Sequence, residues 1–89
     1  MKHVLLYESA DGVRERAPAH FDAHVAHMRD FHERGDLLSM GPLEDPQQDG
    51  AMGIFTTREA AEAFVAGDPF VQGGVVCRWE VRRWNEFFA

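Results

Sequence analysis

Between Ala19 and Arg34, apolar residues recur at spacings of three and four: Phe21, Val25, Met28 and Phe31. That period predicts a helix with one apolar face. Ahead of it, Val4-Leu5-Leu6-Tyr7 is a short apolar run, which predicts a strand over Lys2 to Tyr7. A polar loop starts at Asp11-Gly12 and lasts to about Ala17. Pro18 suits the first helical position, where its missing N–H costs nothing. Gly35 supplies the left-handed stop. Asp36 to Met40 reads as a second strand, closed by Gly41-Pro42. Glu44 to Gly50 is polar, with Pro46 and two Gln, and reads as an exposed loop. Ala51 to Phe55 is a third strand.

Thr56-Thr57-Arg58-Glu59 has the form of a capping box, with Thr56 as cap and Glu59 reaching back. The helix it opens runs to about Ala66 and stops at Gly67, with Ala60, Ala63 and Phe64 as its core face. Asp68-Pro69 reads as a fresh cap followed by Pro at the first helical position, so Asp68 to Gln72 forms one short turn, broken by Gly73-Gly74. Val75 to Trp84 is the last strand, with Val75, Cys77, Trp79 and Val81 on one side and Val76 and Trp84 on the other. The order strand, helix, strand, strand, helix, strand predicts an α+β, ferredoxin-like fold over residues 1–89 as one domain. Its two helices cover one face of an antiparallel sheet. The other face keeps apolar groups, because the first strand is apolar in both phases, and a second copy of the chain is the economical cover.

Charge and composition narrow the classes. The 89 residues are 45% hydrophobic and 27% charged, a globular balance. A chain this short buries only ~60% of its unfolded surface, so a partner subunit adds core. The formal net charge of −6 disfavours nucleic acid and anionic membrane, which need a basic footprint. No segment approaches the ~20 apolar residues of a membrane span, and the run at Met1 to Glu8 is too short for a signal peptide. Cys77 is the single cysteine, so no internal disulfide can form and a reducing cytoplasm is the simplest compartment.

His24 carries the candidate chemistry. It lies three residues after Phe21 and four before Met28, so it projects from within the apolar face and needs a polar partner there. Asp68 is the best candidate in the chain. A carboxylate–imidazole pair at the edge of a core is an acid/base unit. The bland readings are a histidine satisfied by a backbone carbonyl and an aspartate that only caps Pro69-Phe70. Asp68 can do both jobs, since a carboxylate has about four acceptor sites. His20, His24 and His27 also invite a metal reading, with Asp30 or another carboxylate completing the shell, but no spaced Cys or carboxylate motif supports it and we assign no metal. Ser39 stands just before Met40-Gly41-Pro42 and is placed toward the pocket. Cys77 reads as a small core residue. Arg78, Arg82 and Arg83 read as sheet-edge charges, and Trp79 and Phe87-Phe88 as packing.

Taken in order, His24, Gly35, Gly41-Pro42, Gly53 (or Gly50), Glu59-Ala60, Asp68-Pro69-Phe70, Gly74 and Trp84 form a pattern that resembles the YCII-related domain family over nearly the whole chain. The resemblance implies a homodimer, a dimeric α/β barrel, with a small-molecule pocket near the dimer interface. It implies an acid/base centre at His24 and Asp68, and a relationship to muconolactone isomerase, some relatives eliminating chloride from lactones. The candidate site is therefore His24 and Asp68 as catalytic residues, with Ser39, Gly41, Pro42 and Phe70 as substrate contacts and no cofactor. The chain departs from the pattern in His20, His27 and its short loop between the middle strands. Two alternatives to a lyase or isomerase stay open: a ligand-binding or regulatory module that uses the pocket without chemistry, and a metal-dependent enzyme.

Overall fold

The computed structural model describes residues 1–88. In chain order its elements are β1 (Lys2–Ser9), α1 (Val13–Arg16), a 3-10 turn (Ala17–His20), α2 (Phe21–Glu33), β2 (Leu37–Pro42), α3 (Pro46–Asp49), β3 (Ala51–Phe55), α4 (Arg58–Gly67), α5 (Pro69–Gln72) and β4 (Val76–Trp84). The four strands pair antiparallel in the order β2-β3-β1-β4. The connections from β1 to β2 and from β3 to β4 each cross a strand, and both carry their long helix over one face. This is the ferredoxin-like arrangement. Among the described residues, no helix is long and apolar enough to cross a membrane.

The helix-covered face holds the core. Ladder partners share a face, so Leu5 with Gly53 and Val81, and Tyr7 with Ala51 and Trp79, lie toward the helices. Leu5, Phe55 and Phe64 are fully buried. Phe64, from α4, sits at the centre: its ring lies edge-on to Phe31 at 5.2 Å and tilted to Phe55 at 5.3 Å. Phe64→Ala should cost about 3–5 kcal/mol through lost transfer energy and the cavity left behind. A thermal melt of the variant checks this. On the opposite face, Val4, Leu6, Met52 and Ile54 form a partly buried apolar strip.

Several local expectations shift. The long helix begins at Phe21, not Ala19, because Pro18 lies in the 3-10 turn, and Phe21 is 54% exposed. Two stretches read as loops hold the four-residue helices α1 and α3, which have no apolar period to betray them. They are held by local hydrogen bonds instead: in α1 the Gly12 carbonyl accepts from the Glu15 and Arg16 N–H groups, and α3 is capped by the Asp45 side chain, which accepts from those of Gln47 and Gln48. Thr57, not Thr56, caps α4, accepting from Ala60 N–H at 3.0 Å, while the Thr56 N–H is bound to Asp36 O. The core face of α4 is accordingly Ala60, Ala61, Phe64 and Val65, and Ala63 is exposed.

The last strand loses its simple alternation at a register shift opposite Glu8 and Ser9. Arg78 pairs with Glu8 and Val76 with Ser9, so Cys77 is left over. Val76 therefore packs on the core, and Cys77 is exposed, not a core residue. Its Sγ lies 3.4 Å from Glu8 Oε2. That carboxylate's hydrogen bond and charge add to local desolvation in pushing the thiol up from its ordinary value. Trp79 keeps the expected side but is 42% exposed on this edge strand.

Candidate functional site

Asp68 ends α4 and begins α5. Its backbone is extended there, at φ −74° and ψ 119°, and its side chain turns back over the next turn to accept from Phe70 N–H at 3.0 Å. Pro69 at the first helical position has no N–H to satisfy. The cap fixes the carboxylate, which is fully buried. Two further groups converge on it. His24 Nδ1, from α2, lies 2.6 Å from Asp68 Oδ1, and Tyr7 Oη, from β1, donates to Asp68 Oδ2 at 2.6 Å. Tyr7 and His24 are themselves buried, at 5% and 6% exposure.

This set of partners decides the tautomer. An ionised carboxylate only accepts, so Nδ1 of His24 must carry the hydrogen. Whenever the ring is neutral, Nε2 is then its bare nitrogen. Burial pushes the Asp68 carboxyl up, but hydrogen bonds from His24, Tyr7 and the Phe70 N–H, with the positive charge available on His24, outweigh it and hold the group below its ordinary value. Tyr7 moves the other way. Desolvation, its hydrogen bond to Asp68 and that residue's negative charge together push its hydroxyl far above the usual range, so it stays a donor. The imidazole is held against rotation as well: Phe70 stacks on it at 3.8 Å with an interplanar angle of 3°, and Phe64 meets it edge-on at 6.3 Å.

His24 and Tyr7 line a cavity of about 750 Å³ on the helix-covered side of the sheet. Its walls are mainly apolar, with Phe21, Met28, Met40, Phe70 and Val76 among them, and a few polar groups such as Arg14 and Gln47. Gly50 closes one wall. Its φ of +74° favours glycine, and a Cβ there would fall 1.9 Å from the Tyr7 carbonyl oxygen, so no other residue lets β1 approach. A more open depression of about 530 Å³, beside His3, Thr57 and Arg83, contains neither His24 nor Asp68.

The candidate residues are thus mostly brought together. His24, Gly41, Pro42 and Phe70 line the cavity, and Asp68 stands behind His24. Ser39 does not line it. A register shift between Leu37 and Ser39 pairs Ser39 with Ile54, on the open sheet face, where it is exposed. Without that extra residue Ser39 would pair with Gly53 and face the helices. The three histidines do not converge either. His27 Nε2 donates to Phe64 O at 2.8 Å, and the His20 ring occupies the space a Cβ on Gly73 would fill. Among the described residues, no group of three or more His, Cys, Asp or Glu is placed to hold a metal. Tyr7 is the site residue that sequence reasoning missed. Its signal was a hydroxyl in the same buried phase as Leu5, which requires a partner inside the core.

The chain is similar to known proteins. The YCII-related domain matches residues 1–85. The chain belongs to the YCII-related domain family. Protein YciI of Escherichia coli O6:H1 is 31% identical over 95 residues, covering 96% of both chains, and protein YciI of Shigella flexneri matches to the same extent. Among solved structures, the 5-chloro-2-hydroxyhydroquinone dehydrochlorinase TftG of Burkholderia phenoliruptrix AC1100, in complex with 2,5-dihydroxybenzoquinone, superposes with a TM-score of 0.76 at 20% identity, covering 98% of this chain and 96% of that one. Protein Atu4242 of Agrobacterium tumefaciens follows at 0.54 and 10% identity, covering 91% and 88%. The structural likenesses establish that this YCII-related chain shares their fold.

Proposed function

We propose that this YCII-related protein is a small-molecule lyase or isomerase of the muconolactone type, with His24 as base and Asp68 as the group that holds it. The observation that carries the reading is the 2.6 Å contact between His24 Nδ1 and the fully buried Asp68, which leaves Nε2 free on a ring lining an apolar cavity. Nε2 takes a proton from a carbon next to a carbonyl or lactone. The C–H electron pair moves toward the carbonyl oxygen as an enolate, and Asp68 stabilises the imidazolium through Nδ1–H. In an isomerisation the imidazolium returns the proton to another carbon. In an elimination the enolate electrons expel a leaving group such as chloride, and the ring gives its proton to solvent. The name of the dehydrochlorinase that shares this fold supports the second course. Gly41, Pro42 and Phe70 are the proposed contacts to the ligand.

Chloride release from 5-chloro-2-hydroxyhydroquinone and from chlorinated lactones tests this on wild type and His24→Asn. Release by wild type and none by His24→Asn is the expected result. Equal release by a folded His24→Asn protein ends the base assignment. Binding of 2,5-dihydroxybenzoquinone with no release from any of these compounds favours the non-catalytic ligand-binding module.

The proposed assembly is a homodimer, with a second copy covering Val4, Leu6, Met52 and Ile54. Gly41, the ladder partner of Met52, also lines the cavity, so the pocket reaches the margin of that face. Light scattering at micromolar concentration should give twice the chain mass of 10.1 kDa, and Leu6→Asp should shift it to the single mass by placing a charge in the interface. A wild-type monomer over that range rejects the dimer. The proposed compartment is the cytoplasm, where an exposed thiol such as Cys77 stays reduced.

A further inference from the structure

Arg14 is the one lysine or arginine among the residues lining the His24 cavity. It stands on α1, which Gln47 ties to the cavity wall: Val13 N–H donates to Gln47 Oε1 and Gln47 Nε2 donates to Ala10 O, both at 3.0 Å. Four guanidinium groups outside the cavity are occupied, while Arg29, Arg78 and Arg83 have no such partner among the described residues but do not line it. Arg16 donates to Asp11 O at 2.7 Å, and Arg34, Arg58 and Arg82 face carboxylates at 3.5, 3.7 and 3.3 Å. Arg14 makes no such bond with any described residue. Two acidic residues share the wall, Glu15 and Asp45, but Asp45 is committed to the Gln47 and Gln48 N–H groups. The chain as a whole carries −6 and repels anions at long range. Arg14 is therefore the one basic group on a largely apolar wall that also carries Glu15 and Asp45, and its planar fork matches a pair of anionic oxygens.

We infer that Arg14 is a specificity-determining residue that selects ligands bearing an anionic oxygen group, a carboxylate or an ionised hydroxyquinone. The inference rests on the acid/base reading of the same cavity. It also supplies a need of that reading, because proton loss to His24 adds negative charge to the ligand and a fixed cation offsets it.

The experiment measures binding of two charged/neutral pairs by titration calorimetry: 2,5-dihydroxybenzoquinone against 2,5-dimethoxybenzoquinone, and benzoate against benzamide. Wild type should prefer the charged member, and the preference should shrink with added salt. Arg14→Gln, at an exposed position where folding survives, should weaken the charged member by roughly 10–100-fold and leave the neutral one unchanged. Arg14→Lys should recover part of the loss, since it restores charge without the fork. A wild-type protein with no preference for the charged member of either pair overturns the inference, as does an Arg14→Gln variant that keeps the preference. Chloride release by His24→Asn is read separately, so failure of the base assignment leaves charge selection standing, and the reverse.

Discussion

His24→Asn should lower turnover by roughly 10²–10⁴-fold, the usual contribution of a positioned general base, while the protein stays folded. The side-chain amide can still donate toward Asp68, but it offers no ring nitrogen to accept a proton. Asp68→Asn should do nearly the same damage by a different route. Its amide no longer fixes the ring hydrogen on Nδ1, and it cannot stabilise the imidazolium. The double variant should be little worse than either single one, because members of one catalytic unit are not additive. Ligand affinity should survive better than rate in all three. Melting point, affinity and turnover on the same variants separate chemistry from structure. If affinity and rate fall only in proportion to the folded fraction, the pair is a structural one.

Asp68→Ala should be among the costliest single changes in the molecule, at about 3–5 kcal/mol. It strands three donors at once: the Tyr7 hydroxyl, the His24 ring N–H and the Phe70 amide. A domain of this size has only about 4–13 kcal/mol in total, so the variant should melt far below wild type or fail to fold. The same carboxylate links stability to pH. Its folded-state value lies below the ordinary 3.8. Its contribution is therefore fully present above 3.8 and is lost as pH falls through the lowered value. Tyr7→Phe removes one of the groups that lower it, so the acid transition should move to higher pH. Urea melts of wild type and Tyr7→Phe between pH 2 and 6 check the sign.

Much of the fold was legible because burial imposes a period. The two long helices, the four strands and the Asp68 cap each follow from spacing or from a local hydrogen-bonding group at a defined position. The pairing of His24 with Asp68 was legible for a related reason. A ring placed between Phe21 and Met28 demands a partner, and few buried-phase carboxylates exist to meet that demand. The short helices α1 and α3 were not legible, since four residues contain one turn and no period. Asp45 caps α3, and Gln47 ties it to α1 and to Ala10.

By itself the sequence determined the order of the strands and the two long helices, the core-facing side of α2, and the cap that makes Asp68 rigid, all properties of residues within a few positions of one another. Tertiary structure decided the rest. It placed Ser39 on the open face and Cys77 at the surface through one extra residue in each of two ladders, because side chains alternate with a period of two and a single shift reverses every face beyond it. It brought Tyr7 onto the far oxygen of Asp68, a bond between residues 61 apart in the chain. It also set Arg14 on the cavity wall through Gln47. Contacts of that range arise from how the sheet registers and how the helices lie on it, and no local pattern encodes them.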